Sequence, residues 1–136
     1  MPEIKGNCRC GRVSYSSSAE PVFTGICHCD KCQKSTGSAY ATVVAVPTAS
    51  LTVTGTTKRF DDQGDSGKPT HRTFCPECGS TITQSADVME GITMIPLGTL
   101  TEPASVKPAM QIYCDSALPW AKIADMQGFA KMPMPH

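Results

Sequence analysis

The sequence predicts an all-β fold of small antiparallel sheets with one or two short helices. The strand-like segments are mostly short, rich in β-branched side chains and bounded by Gly, Pro, Asp or Ser. The chain has 136 residues with 11 Gly and 11 Pro, so turns are frequent. Val13 and Tyr15 alternate with the polar residues Arg12, Ser14 and Ser16, which is the period of a half-buried strand.

Seven more strands are predicted after the first, in chain order. Their segments are PVFTGIC, AYATVVAV, LTVTG, HRTF, STITQ, GITMIPL and MQIYC. The segment DKCQKSTG predicts a short helix that begins near Asp30 and ends at Gly37, which can adopt a left-handed cap. PWAKIADM predicts a second helix, with Pro119 at its first position. Between two of the strands, DDQGDSGKP predicts a polar surface loop.

Length and composition predict one domain that spans residues 1–136. Apolar residues make up 40% of the chain and aromatic residues only 6%, so the core is modest and something besides packing is expected to stabilise it. Basic and acidic residues balance at 12 each. Because this balance gives no strong electrostatic field, we expect neither nucleic acid nor an anionic membrane as a partner. The oligomeric state does not follow from the sequence.

The protein has eight cysteines and is expected to be located in a reducing compartment. The first residues, MPEIKGNCRC, contain no apolar run of signal-peptide length, and no segment approaches the roughly 20 apolar residues of a membrane span. We therefore predict a cytoplasmic protein. In that compartment cysteines serve as metal ligands or catalytic thiols rather than as structural disulfides.

One set of cysteines is predicted to form a closed structural zinc site. Residues 74–79 read FCPECG, a turn in which two thiolates point at one metal and Gly79 permits a positive φ. Two further ligands are available in NCRCG, where an extended backbone would place Cys8 and Cys10 on the same face. The predicted ligands are Cys8, Cys10, Cys75 and Cys78. Such a site would contribute to folding free energy.

A second set lies in the segment CHCDKC, residues 27–32. Cys27 and Cys29 share a face of the strand that leaves GIC, and Cys32 returns on the following turn, so the three converge. Three protein ligands and an open fourth position are typical of catalytic zinc. Two alternatives stay open, a disulfide and a site closed by a fourth protein ligand. The candidates for that ligand are His28, which is expected to point away, His71 and, preferred among them, Cys114.

Four motifs together resemble the glutathione-dependent formaldehyde-activating enzyme family, which includes centromere protein V. They are GxCxCGxV, CHCxxCxKxxGSAY, FCPxCGSTI and IYxxSxxPW, and they extend from about Gly6 to Trp120. The resemblance implies an Mss4-like fold, a β-tent of small sheets around a structural zinc. It also implies that the first cysteine set is structural and the second catalytic. The sequence departs from the family at Gln33, where many members have arginine, and at Cys114, where we expect a small or apolar residue.

The resemblance further implies a carbon–sulfur lyase reaction, the condensation of formaldehyde with glutathione to S-hydroxymethylglutathione. Two zinc ions per chain are then the expected cofactors and a small thiol such as glutathione the expected partner. Donors for the developing alkoxide are needed near the second set. The titratable candidates are His28, Lys34 and His71, and Lys34 is also a candidate contact for a glutathione carboxylate.

Two other function classes are compatible with the cysteines. In the first, both zinc ions only stabilise a binding module; a module for nucleic acid would need a clustered basic face, whereas Lys31, Lys34, Lys58 and Arg59 are spread among acidic residues. In the second, the protein is a redox enzyme related to methionine sulfoxide reductases, with Cys114 as the free thiol.

Overall fold

The computed structural model describes residues 4–133 and confirms the all-β prediction. Within these residues the small sheet contains β1 (Ile4–Asn7), β2 (Ser14–Ser17) and β5 (Leu51–Thr54). The large sheet contains β3 (Phe23–Cys27), β4 (Ala41–Pro47), β6 (Lys58–Gln63), β7 (Pro69–Phe74), β8 (Thr81–Ala86), β9 (Ile92–Pro96), β10 (Met110–Ile112) and β11 (Gln127–Gly128). The helix α1 is Asp30–Thr36. One domain over residues 1–136 stays a prediction, and its ends, residues 1–3 and 134–136, lie outside the described part.

The small sheet has the order β1–β2–β5 and the large sheet the order β11–β10–β3–β4–β9–β8–β7–β6. Antiparallel pairing was predicted throughout, but β10 runs parallel to both β3 and β11. The reason is its connection. A tight hairpin joins two antiparallel strands. Residues 97–109 instead form a long link between β9 and β10, so β10 can pair with β3 in the parallel direction.

The core lies where the small sheet packs on one face of the large sheet. Apolar side chains from both sheets and the links between them form one buried cluster, namely Ile4, Val13, Tyr15, Val44, Val46, Ile82, Ile95 and Leu100. Full burial of an aliphatic side chain of this kind contributes about 1.5–3 kcal/mol. Cys8 and Cys75 belong to the same cluster and are 1% and 0% exposed. Two of the four cysteines in the first set are therefore part of the core.

The first predicted helix is confirmed as α1, and its ends show why it is short. The Cys29 sulfur accepts a hydrogen bond from the Cys32 backbone N–H, so Cys29 rather than Asp30 caps the N-terminus. Gly37 ends the helix at φ 69°, the left-handed conformation that glycine adopts at low cost. Both ends of α1 thus follow from local sequence, and its cap is a member of the second cysteine set.

The second predicted helix, PWAKIADM, is wrong: residues 119–126 form successive turns. The buried side chain of Gln111 explains the difference. Its Nε2 donates to the carbonyls of Ile123 and Met126, and its Oε1 accepts from the Ile123 N–H. These hydrogen bonds occupy backbone N–H and C=O groups that would otherwise pair within a helix. Asp125 also adopts a positive φ of 61°, which interrupts a helix.

The predicted surface loop DDQGDSGKP is also wrong in part, because its first residues belong to β6 and its last to β7. Only residues 64–68 form the turn of this hairpin, where the Gly64 N–H donates to the Lys68 carbonyl at 2.9 Å. Every residue of β6 is exposed. An edge strand with no buried face has no apolar alternation, so its sequence resembles a loop.

The two ends of the large sheet approach each other at α1. Lys31 on α1 lies 3.8 Å from a carboxylate oxygen of Asp62 on β6. Tyr113, the residue after β10, donates its hydroxyl to Asp65 in the β6–β7 turn at 2.8 Å. Since β6 is one edge of the sheet and β10 lies next to the other edge, the sheet curls to bring them together. No helix in residues 4–133 is long and apolar enough to cross a membrane.

His71 joins the β6–β7 hairpin to the residue that follows β8. Its Nδ1 lies 2.7 Å from Asp61 and its Nε2 lies 2.9 Å from Asp87. The hydrogen bond to Asp61, and next the one to Asp87, raise the pKa of His71 above its ordinary value of 6.5. The charged form of His71 is therefore favoured in the folded protein, and we expect its stabilising effect to depend on pH.

The stabilisation from His71 is expected to be complete at acidic pH and to be lost as the pH rises. Below about pH 6 His71 is charged in both the folded and the unfolded chain, so its ion pairs contribute fully; above its raised folded-state pKa they vanish. The difference in urea midpoint between wild type and His71→Gln measures this contribution. An equal difference at about pH 6 and about pH 9 would contradict the expectation.

Candidate metal centres

The first cluster is formed by the four sulfur atoms of Cys8, Cys10, Cys75 and Cys78. All four lie within 4.8 Å of one another. The Cys8 and Cys10 sulfurs are 3.6 Å apart, and the Cys10 and Cys75 sulfurs are 3.7 Å apart. These distances are far longer than a disulfide bond, and all four cysteines are free. The chain thus gathers the four residues that the sequence predicts as one ligand set.

Two turns present these sulfurs, and only one of them has the predicted backbone. At Cys75–Gly79, the Gly79 N–H donates to the Cys75 carbonyl at 2.8 Å and Gly79 has φ 79°, as the FCPECG motif predicts. The segment that holds Cys8 and Cys10 was expected to be extended. It is instead a turn, closed by a bond from the Gly11 N–H to the Cys8 carbonyl at 3.1 Å. The turn brings the sulfurs together more closely than residues i and i+2 of a strand.

Hydrogen-bond donors surround this cluster. The Val13 N–H donates to the Cys8 sulfur at 3.3 Å, and the Ser80 hydroxyl lies 3.3 Å from the Cys78 sulfur. The Ser80 hydroxyl, together with the Ser80 N–H, lowers the pKa of Cys78 to about 5. Donors of this kind stabilise thiolates, which are the form that binds a metal. Cys8 and Cys75 are buried, Cys78 is half-buried and Cys10 is exposed. Four converging sulfurs with such donors fit a closed site for a thiolate-binding metal such as zinc.

The second cluster is formed by Cys27, Cys29 and Cys32, whose sulfurs lie within 4.8 Å of one another. Cys27 is the last residue of β3 and is 7% exposed, whereas Cys29 and Cys32, at the start of α1, are half-buried. The strand end and the helix start therefore converge on one point. This is the arrangement that the spacing in CHCDKC predicts.

The thiols of the second cluster strongly affect one another. Hydrogen bonds from Cys27, and then from Cys32, lower the pKa of Cys29 to about 3. The same contacts with Cys27 and Cys29 raise the pKa of Cys32, because its thiol is the donor. Three thiolates at this spacing repel one another, so a bound cation is needed to keep all three deprotonated. The donor set therefore fits a thiolate-binding metal.

None of the proposed fourth ligands joins the second cluster. Within residues 4–133, no histidine, carboxylate or further cysteine has a ligand atom within 4.8 Å of all three sulfurs. His71 is engaged by Asp61 and Asp87. The Cys114 sulfur contacts the Gln111 carbonyl at 3.7 Å, so the preferred alternative, closure by Cys114, is not supported by the structure. The described chain offers this centre three ligands.

His28 points away from the cluster, as expected, and is fully buried. Its Nε2 lies 2.9 Å from Gln111 Oε1. Because that oxygen also accepts from the Ile123 N–H, the Gln111 amide is oriented by the backbone and His28 Nε2 must be the donor. His28 Nδ1 is buried and has no hydrogen-bond partner among the described residues. His28 thus links the CHCDKC segment to residues 119–126 and is poorly placed to protonate a substrate.

Two residues beside the second cluster were not predicted from the sequence, Tyr113 and Asp65. Tyr113 has φ 55°, a left-handed conformation that is unfavourable for a residue other than glycine. Burial, the bond to Asp65 and finally the negative charges of Cys27 and Cys29 raise the pKa of Tyr113. Tyr113 directly follows Ile112, the register partner of Cys27. Lys34, the remaining candidate donor, is exposed on the last turn of α1.

Comparisons with known proteins agree with this geometry. A family model described as glutathione-dependent formaldehyde-activating enzyme matches residues 3–116. A protein of Emericella nidulans, "Putative glutathione-dependent formaldehyde-activating enzyme", is 32% identical over 73 residues, which is 54% of this chain and 36% of that protein. The match thus spans about a third of the fungal protein's length. A crystal structure of a Rhodobacter sphaeroides protein superposes with a TM-score of 0.58 at 17% identity and covers 92% of this chain and 98% of that one, which shows a shared fold.

Proposed function

The chain belongs to the glutathione-dependent formaldehyde-activating enzyme family, and from this premise we propose that it is a zinc-dependent carbon–sulfur lyase that acts on a small thiol adduct. The reaction we favour joins glutathione and formaldehyde to give S-hydroxymethylglutathione. One observation carries the proposal. The second cluster offers three sulfur ligands and, within residues 4–133, no fourth, which suits a tetrahedral metal that keeps one position for a substrate.

The two clusters have different roles in this proposal. Cys8, Cys10, Cys75 and Cys78 hold a structural zinc, since they form a complete ligand set and two of them lie in the core. Cys27, Cys29 and Cys32 hold a catalytic zinc, since they form an incomplete set at the end of a strand and the start of a helix. When bound there, zinc supplies Lewis-acid chemistry that lowers the pKa of a thiol ligand and so favours its nucleophilic thiolate form.

The chain's own residues orient the reactants and transfer the proton. In the reaction a carbon–sulfur bond forms, the C=O π pair becomes an alkoxide, and the proton that leaves the thiol finally resides on the new hydroxyl. Of the candidate donors, Lys34 is exposed on α1 two residues after Cys32, whereas His28 and His71 are engaged elsewhere. Lys34 stays the candidate contact for a carboxylate of the thiol substrate.

The alternative function classes have less support. A redox role for Cys114 lacks a partner sulfur, because among the described residues Cys114 belongs to neither cluster. A nucleic-acid module would need a clustered basic face, whereas three of the twelve basic residues, Lys31, Arg59 and Lys131, are each paired with an aspartate. A cytoplasmic location, where glutathione is kept reduced, stays a prediction.

The proposal predicts that the protein accelerates adduct formation only with a free thiol. NMR exchange between formaldehyde and its S-hydroxymethyl adduct measures the rate directly, and we expect this rate to rise in proportion to protein concentration above the spontaneous rate. S-methylglutathione, which lacks the thiol, is the matched control and should give no adduct. An exchange rate with glutathione equal to that without protein would contradict the assignment. Acceleration with another small thiol alone would retain the reaction class and correct the substrate.

A further inference from the structure

The β6–β7 hairpin reaches both sides of the second cluster. On one side Lys31, which lies between Cys29 and Cys32 in the chain, contacts Asp62 at 3.8 Å. On the other side Tyr113 donates to Asp65 at 2.8 Å, and Tyr113 follows Ile112, the register partner of Cys27. The two contacts therefore hold the hairpin against the helix and the strand that carry the three sulfurs.

Beyond the pairing of β7 with β8 and the His71 bonds to Asp61 and Asp87, the hairpin has few contacts that hold it there. Every residue of β6 is exposed, and the turn between β6 and β7 consists of polar residues and glycines. Gly67 at the turn has φ 84° and Gly64 donates across it to Lys68, so the turn is closed by its own backbone. Exposed ion pairs and single hydrogen bonds are weak compared with the stability of a whole domain, so such an element can open locally while the core stays folded.

The backbone conformation of Tyr113 is of a kind that occurs at functional sites. Tyr113 holds the left-handed φ of 55° although it is not a glycine. Backbone strain of this kind persists where surrounding contacts determine it, and it concentrates at active sites, ligand clamps and switch regions. Asp65 is 48 residues away in the chain, so the contact between the two side chains depends on the curl of the large sheet.

We propose that Tyr113 and Asp65 form a latch that holds the β6–β7 hairpin over the second cluster and so determines which thiols reach it. The proposal rests on the proposed function for its substrate class, a small thiol. In the latched state the hairpin restricts the approach to Cys27, Cys29 and Cys32, and breaking the hydrogen bond gives larger molecules access. Tyr113 and Asp65 are thus specificity-determining residues, and neither need touch the reacting atoms.

The latch is tested by the alkylation of individual cysteines in the purified, metal-loaded protein, with neither glutathione nor formaldehyde present. Iodoacetamide serves as the small probe and a bulky maleimide as the large one, and mass spectrometry of peptides separates the two clusters. In Tyr113→Phe and in Asp65→Asn we expect the second cluster to react about tenfold faster with the maleimide. Iodoacetamide should show a smaller increase, and the first cluster should be unchanged. Asp115→Asn, which breaks the exposed pair with Lys131, is the control and should behave as wild type.

Three results would overturn the latch. The first is an unchanged alkylation rate at the second cluster in both variants, and the second is equal acceleration at both clusters. The third is an acceleration in the double variant equal to the product of the two single effects, because the effects of removing two partners of one hydrogen bond are not additive. If Tyr113→Phe fails to fold, Asp65→Asn carries the test, because Asp65 is exposed. The readout needs no catalysis, so a failed formaldehyde assay would leave the latch standing and the two proposals can fail separately.

Discussion

Cys75→Ser is expected to abolish the cooperative thermal unfolding transition of this protein. Cys75 is 0% exposed and lies in the core cluster, where its sulfur is 3.7 Å from that of Cys10. In our proposal it ligates the structural zinc, and zinc sites of this kind contribute on the order of 10 kcal/mol to folding. A domain of this size has a total unfolding free energy of about 5–15 kcal/mol. The loss of one ligand therefore removes most of the stability.

Circular dichroism during heating measures this effect, with Cys114→Ser as the matched control. Cys114 is half-buried and belongs to neither cluster, so its replacement should shift the melting temperature only slightly. A chelator that removes metal from the wild-type protein should reproduce the behaviour of Cys75→Ser. If Cys75→Ser instead melts cooperatively within a few degrees of wild type, the four-sulfur cluster is not a structural metal site.

Cys32→Ser is expected to abolish thiol-dependent formaldehyde consumption while the fold is preserved. Cys32 is one of three sulfurs in the second cluster, and α1, which carries it, has no buried residues. Its loss should therefore affect the core little. Removal of partners that merely orient a metal ligand already costs about 10–100-fold in affinity or activity, so removal of a ligand itself should cost at least about 100-fold in kcat/KM.

Ser35→Ala is the control for this variant, because it lies on the same helix and its hydroxyl donates to the Cys32 carbonyl without belonging to the cluster. We expect it to retain activity within a few-fold of wild type. Both variants should unfold at temperatures close to that of wild type. A Cys32→Ser protein that consumes formaldehyde at the wild-type rate would show that the chemistry does not depend on the second cluster.

Strands β4 and β8 are predicted well by the sequence because they carry buried apolar side chains. Val44 and Val46 in β4 and Ile82 in β8 are fully buried, and their segments carry the apolar signal that identifies a strand. The edge strand β6 has no buried residue, and its last three residues fall in the predicted loop. Residues 119–126 have good local helix propensity, but the side chain of Gln111 binds their backbone groups instead. That contact joins residues 12 positions apart through a side chain outside the segment, which local propensity cannot represent.

Both cysteine sets were predictable because ligand spacing is a local property of the chain. The FCPECG turn and the CHCDKC segment each place at least two sulfurs together by their own backbone. The surroundings of the second set were less predictable. Tyr113 and Asp65 meet only because the large sheet curls, and Cys114, near in sequence to Tyr113, faces the Gln111 carbonyl rather than the cluster. Long-range contacts of this kind determine whether a fourth protein ligand reaches the second cluster.

The central claim is that CHCDKC forms a second metal centre. The most direct test measures the number of zinc ions per chain, by mass spectrometry of the metal, in freshly purified wild-type protein and in Cys32→Ser. The proposal predicts two zinc ions per chain in the wild type and one in Cys32→Ser, with the remaining ion at the first cluster. Equal zinc content in the two proteins, before and after reconstitution with zinc, would contradict the claim and remove the basis for zinc catalysis at Cys27, Cys29 and Cys32.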